Sequence, residues 1–255
     1  MKSLWRGLAT LAGLLLVWQA VVMLGDLPPY ILPDPWAVAH SLWHHSGSLF
    51  HHAGVTALEI VLGMVLGTLL GCGSALVLGY SRRARRWLLP ALIASQAIPV
   101  FAIAPLLVLW LGYGMSSKIA MTMLVIYFPV TANFYDGLRH TQRGWLDLAQ
   151  VMLPEQRRWA VLRHIAIPAA LPALASGLRV AAAVAPIGAV LGEWVGSSAG
   201  LGYLMLHANS RMQVDLMFAA LFVLAALAVG LYFLVDAGSK RLLPWHRPSP
   251  ETETD

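Results

Sequence analysis

Six stretches of this chain are long and apolar enough to cross a bilayer: about 4–24, 53–79, 88–111, 118–135, 169–191 and 214–236. A crossing needs about 20 predominantly apolar residues, and hydrocarbon offers the backbone no hydrogen bonds, so each is expected to be a helix. The chain is therefore expected to be an all-α membrane protein with six transmembrane helices. Its composition agrees: 58% of the 255 residues are hydrophobic and 11% are charged, against about 25% charged in soluble domains. The first stretch resembles a signal peptide, but its apolar run is too long for an ordinary signal core, so it is expected to be a retained span. A formal charge of +5, confined largely to loops, excludes a nucleic-acid-binding surface. Cys72, the single cysteine, lies in an apolar run and is expected to be a small core residue.

The connections sort by charge. Lys2, Arg6, Arg82, Arg83, Arg85, Arg86, Arg139, Arg143, Arg157, Arg158, Arg163, Lys240, Arg241 and Arg247 all fall at the termini or in alternate connections. The opposite loops carry Lys118 and Arg211, and Arg179 stands inside a span. By the positive-inside rule both termini and the 136–168 loop face the cytoplasm.

Small residues mark where helices approach closely. Gly63, Gly67, Gly71, Ala75 and Gly79 recur every fourth residue in the second span, and Gly188, Gly192 and Gly196 do so in the fifth. The third span holds Pro99 and Pro105, which remove helix hydrogen bonds and predict a kink where neighbours or a cavity satisfy the freed groups. A bundle lining a pathway and a purely structural bundle both fit this pattern.

Two kinds of polar residue sit where they are costly. Arg179 lies near mid-membrane, where a charge costs at least ~2.5 kcal/mol. Pro186 and Glu193 follow on a slowly drifting face of the same helix, and Glu59 lies in the second span. Glu59, Gln96, Pro99, Arg179, Glu193 and Trp194 are the candidates for a translocation pathway or gate. The charged ones equally suit locks between helices, and the sequence leaves open whether Glu59 and Arg179 meet. His44, His45, His51 and His52 cluster in the first outer loop without a carboxylate or cysteine to complete a metal site. No phosphate-cradling glycine loop and no nucleophile, base and orienter set occurs, so the chain is not expected to be an enzyme or to carry a cofactor.

The loop 136–168 is patterned. Trp145, Leu148, Val151 and Met152 keep helical spacing, Pro154 interrupts, and Trp159, Leu162 and Ile165 resume before Pro168. Two short amphipathic helices joined by a turn are expected, lying on headgroups or seated in a partner's groove.

This loop resembles the cytoplasmic coupling loop of the permease subunits of bacterial ABC importers, the binding-protein-dependent transport system inner-membrane components. Asp147 and Ala149 match its opening, with Leu148 in place of an alanine, and "IAIP" at 165–168 matches its close. Leu153 stands where that family has glycine, the loop is two residues longer than usual, and Pro154 is expected to supply the turn. The stretch 97–112 resembles the third span of the nitrate, sulfonate, taurine and pyrimidine group. The stretch 176–205, with Gly-Leu-Gly at 200–202, resembles its fifth span and outer loop, closest to hydroxymethylpyrimidine (thiamine precursor) permeases.

The resemblance implies a type I importer permease: one transmembrane domain over 1–245, a coupling-helix hairpin, and a polar tail over 246–255. It would lie in the bacterial inner membrane as a homodimer partnered by two cytoplasmic ATPases, which carry ATP and Mg, and by an extracytoplasmic binding protein. Asp147, Leu148, Ala149, Met152, Leu153, Pro154, Trp159 and Pro168 would couple to the ATPases, and the segment from Glu193 to Tyr203 would be the gate or binding-protein contact. Glu59 stands where sulfonate relatives often carry arginine, which suits a neutral or cationic heterocycle. Sulfonate, taurine, nitrate and riboflavin are alternative substrates. A membrane-embedded lipid-modifying enzyme and a non-transporting scaffold or channel are the rivals from other classes.

Overall fold

A computed structural model of the protein describes residues 2–141, 144–145 and 158–245, and these segments consist of helices joined by turns and short connections. α1 (Lys2–Leu24) leads through a turn to α2 (Pro35–His44). Asp34 starts α2: its Oδ1 accepts the Ala37 N–H at 2.6 Å, and Pro35 supplies a preset φ in the first turn. α3 (Ser46–Tyr80) has 35 residues, a length of about 52 Å. α4 (Arg82–Ser95), α5 (Val100–Leu111) and α6 (Met115–Arg139) follow. After the undescribed part of the loop, α7 (Arg158–Val161) and a π-helical turn (Leu162–Ala166) run directly into α8 (Ile167–Gly196). α9 (Leu201–Ser210) and α10 (Val214–Leu242) complete the described chain.

Among the described residues, four helical segments are long and apolar enough to cross a membrane: α3, α6, Trp159–Gly196 and α10. α4 and α5 supply a fifth crossing if taken as one broken span, and the apolar helix within α1, Ala12–Leu24, is shorter. The six-span expectation therefore meets four or five such crossings. The third span, expected as one kinked helix over 88–111, is two helices bent by 101°. Proline disfavours helical geometry in the residue before it. Pro99 accordingly stands at the N-cap of α5 with ψ 121°, after a tight turn in which the N–H groups of Gln96 and Ala97 return to Ile93 and Ala94. Pro105 and Pro90 remain inside helices, and Gln96 is the exposed C-cap of α4.

α6 is the centre of the bundle, with α3 on one side and α8 on the other. A Cβ on Gly63 would stand 2.6 Å from the Thr122 side chain, and one on Gly188 would stand 2.7 Å from Thr122 Cα. Both glycine rows therefore press on the same residue. Gly67 and Gly71 meet Ile126 and Val130 in the same way, and Gly192 meets the Lys118 backbone. Cys72 is half-buried against the apolar layers that this packing creates. One layer joins α3, α6 and α8 through Ile60, Ile126, Val130, Ala181, Ala185 and Ala189. Toward the α4 end, Leu78, Leu92, Phe134, Tyr135 and Leu162 form a second. At the opposite end α2, α9 and α10 gather around Val38, Leu49, Leu201, Leu204 and Leu216, and Trp18 stacks on Phe218 and Phe222.

Candidate functional site

The most polar part of the interior lies where α3, α6, α8 and the start of α9 converge. Glu59 is 0% exposed, Glu193 1% and Lys118 5%. Lys118 Nζ stands 2.6 Å from Glu59 Oε1 and donates to Ser197 Oγ at 2.9 Å. Ser197 Oγ in turn donates to the Ala199 carbonyl and accepts the Ala199 N–H, tightening the turn after α8. The Glu59 and Glu193 carboxyls are close enough to act on each other.

Glu193 ties this cluster to α9. The first N–H groups of a helix have no partner inside it and must find one elsewhere. Here every one comes from a neighbouring side chain. His52 Nδ1 accepts the Gly200 N–H at 3.0 Å, Thr56 Oγ1 accepts the Leu201 N–H at 2.8 Å, and Glu193 Oε2 accepts those of Gly202 and Tyr203 at 2.5 and 3.3 Å. Thr56 also donates to Glu193 Oε1 at 2.6 Å. A carboxylate at the positive end of a helix is favoured electrostatically, so the N-terminus of α9 and Lys118 together balance two buried carboxyls.

The same geometry explains the Gly-Leu-Gly sequence. Gly200 has φ +120°, a conformation side chains rarely adopt, and a Cβ there would land on the Glu193 carboxyl. A Cβ on Gly202 would stand 2.8 Å from Glu193 Oε2 and 3.1 Å from Val190 Cα. Both glycines let the α9 backbone reach the carboxylate.

Sequence reasoning placed Glu59, Arg179 and Glu193 along one possible path; the structure brings Glu59 and Glu193 together and sets Arg179 apart from them. Arg179 Nε pairs with Asp236 of α10 at 2.8 Å, and Asp236 also holds Lys240 at 2.8 Å. Glu59 and Arg179 therefore do not meet each other. Glu59 is enclosed and neutralised by Lys118, so it presents no acidic group to cargo in this conformation, which removes the basis for reading substrate charge from it. Trp194, next to Glu193, is about half exposed. Lys118, which the sequence placed in an outer loop, belongs to the first turn of α6 and is buried. Thr56, Ser197 and Asp236 were missed altogether. Intramembrane charge in Asp236 was the one visible signal among them.

On the coupling side, Asp147, Leu148, Ala149, Met152, Leu153 and Pro154 lie outside the described residues. Trp159 is exposed and its ring meets Tyr80 edge to face, 6.5 Å between centroids, joining this segment to the end of α3. Pro168 is exposed in the first turn of α8. The outer histidines form ring contacts: His44 on His45, His51 on His52, and His52 on Tyr203, which stacks on His207. Among the described residues, no three His, Cys, Asp or Glu side chains converge as a metal site requires.

Residues 63–246 match the family described as binding-protein-dependent transport system inner membrane component. The chain is 60% identical over 223 residues to a probable ABC transporter permease protein of Haemophilus influenzae, covering 88% of this chain and 90% of that protein. It is 36% identical to the formylaminopyrimidine transport permease protein ThiX of Halalkalibacterium halodurans (92% and 93% covered) and 38% identical to the riboflavin transport system permease protein RibX of Chloroflexus aurantiacus (92% and 88%). The fold is similar to a chain of the MetNI methionine ABC transporter solved in inward facing conformations. The TM-score is 0.59 at 17% identity, covering 78% of this chain and 96% of that one.

Proposed function

Because the chain belongs to the family of binding-protein-dependent transport system inner membrane components, permease subunits of ABC transporters, we propose that it imports a thiamine-precursor pyrimidine delivered by an extracytoplasmic binding protein. The observation that carries the substrate is the similarity to ThiX over 92% of the chain. The similarity to RibX, over an equal share, favours a flavin as the second reading. Both relatives are named for neutral or weakly charged nitrogen heterocycles, and sulfonate and taurine permeases are similar at 30% identity.

The permease is not itself the enzyme; ATP hydrolysis belongs to the partner ATPase. In the proposed assembly two permease copies, each with six spans and cytoplasmic termini in the bacterial inner membrane, bind two ATPases through the segment from Asp147 to Pro168. Trp159 bears on Tyr80, so displacement of that segment would reach the end of α3 directly. The Glu193-capped start of α9 would set the outer face. Movement between two discrete packings, rather than continuous flexing, suits a bundle whose helices touch through glycine.

Uptake into proteoliposomes containing the permease, its co-encoded ATPase and binding protein tests this. ATP-dependent accumulation of hydroxymethylpyrimidine or formylaminopyrimidine, with riboflavin, taurine and nitrate excluded, is the expected result. Accumulation of riboflavin alone would select the flavin reading, and accumulation of taurine or nitrate would overturn the heterocycle assignment.

A further inference from the structure

α4 carries its charge at the wrong end. Arg82, Arg83, Arg85 and Arg86 occupy its first turn and a half, with no acidic residue there, at the positive pole of the helix. All four are exposed, and among the described residues no side chain pairs with any of their guanidinium groups. Repulsion among them and with the helix dipole makes this surface attractive to an anion.

The surface beside them is a shallow depression, largely open to its surroundings. A cleft of about 500 Å³ is lined by Ser81, Arg83, Ala84, Trp87 and Leu88. Its lining is apolar apart from Arg83 and the Ser81 hydroxyl, which caps α4 by accepting the Ala84 N–H at 3.2 Å. Trp87 is 76% exposed and Tyr80, the last residue of α3, is 53% exposed. An apolar cleft with a guanidinium rim, flanked by exposed aromatic rings, stands at the end of a membrane-spanning helix. The chemistry that matches it is a phosphodiester attached to acyl chains: phosphate for Arg83 and its neighbours, hydrocarbon against Trp87 and Leu88.

We infer that this cleft is a binding site for an anionic phospholipid, with Arg83 and Arg86 holding the headgroup phosphate and Trp87 and Leu88 the upper acyl chain. The sharp bend between α4 and α5 lets α4 depart from the direction of a single span, and its polar first turn and apolar remainder suit a helix end at the headgroup layer. A protein partner would have to supply both carboxylates for the rim and a hydrophobic plug for the cleft, whereas a lipid carries both in one molecule. Bound there, the lipid would sit one residue from Tyr80 and hence beside the Tyr80–Trp159 contact.

The test uses the full-length chain, delipidated in detergent and titrated with dioleoyl-phosphatidylglycerol, dioleoyl-phosphatidylcholine or inorganic phosphate, with bound molecules counted by native mass spectrometry. The variant Arg83→Gln/Arg86→Gln keeps Arg82 and Arg85, and so the basic bias of the loop. Ala84→Leu fills the cleft without touching charge. The expected result is a preference for phosphatidylglycerol over phosphatidylcholine that falls about tenfold in the double variant and also falls in Ala84→Leu. Three results would overturn the site: equal retention of the two lipids by the unaltered chain, unchanged preference in both variants, or displacement of phosphatidylglycerol by millimolar phosphate, which would mark a free-anion site. If the double variant keeps its lipid but loses co-purifying ATPase, the surface is a protein dock and the inference fails.

Discussion

Lys118 offers the sharpest test of the buried cluster. Lys118→Met removes the cation 2.6 Å from Glu59 Oε1 and the donor to Ser197, leaving Glu59 buried beside a second carboxyl without its counter-ion. Removing one partner of a buried pair costs about 3–5 kcal/mol, whereas replacing both with neutral groups of similar size is often neutral or stabilising. Lys118→Met should therefore be severely destabilising. Glu59→Gln should cost less, because it also relieves the repulsion between Glu59 and Glu193. The double variant Glu59→Gln/Lys118→Met should recover most of the loss. At about 2–4 °C per kcal/mol for a domain of this size, the single lysine variant should unfold about 6–20 °C below the unaltered protein. Cys72, half-buried and the single cysteine, makes a thiol-reactive fluorogenic maleimide a direct reporter of unfolding in detergent. Additive losses in the double variant would refute the pairing, because non-additivity is what a direct interaction produces.

Gly188→Ala should destabilise by about 1–3 kcal/mol, because its Cβ would strike Thr122 Cα, a backbone atom. Gly73→Ala, which meets nothing within 4 Å, should be neutral or stabilising by up to about 1 kcal/mol; the same thermal assay separates them. Thr56→Val should cost about 1–3 kcal/mol, since the Leu201 N–H and Glu193 Oε1 both lose a buried partner, and hydrogen exchange should show fraying confined to the first turn of α9. Trp159→Ala should leave folding intact but weaken stimulation of the partner ATPase by loaded binding protein, read as the ratio of stimulated to basal hydrolysis.

The spans were legible because the solvent dictates them: uninterrupted apolar runs in lipid must satisfy their own backbone, so α3, α6, α8 and α10 follow from hydropathy. The four-residue recurrence of glycine shows that something approaches closely, but it does not name the neighbour. That both rows meet at Thr122 depends on α6 lying between α3 and α8, and no local pattern encodes that placement. The break before Val100 was half visible. Pro99 announces a disturbance, yet a proline inside a helix and a proline starting a new one look alike in a sequence. The 101° bend depends on whether the residues before it keep helical hydrogen bonds or close a turn, as Gln96 and Ala97 do.

The charges show the same limit more clearly. A buried ion is tolerated when a counter-ion meets it, and the partners here are distant in the chain: Glu59 with Lys118 and Arg179 with Asp236. Read singly, Lys118 is a loop charge and Glu59 is a group free to face cargo. Read as a pair, each removes the other from both roles. Glu193 differs, because its principal partners are backbone N–H groups nine and ten residues ahead. The glutamate and the Gly-Leu-Gly were therefore close enough in sequence to be seen together, and what was missing was the reason. A carboxylate that caps a helix from the side leaves no room for a Cβ at Gly200 or Gly202. The glycines and the glutamate thus form one device, and replacing Gly202 with alanine should loosen α9 as surely as removing the carboxylate does.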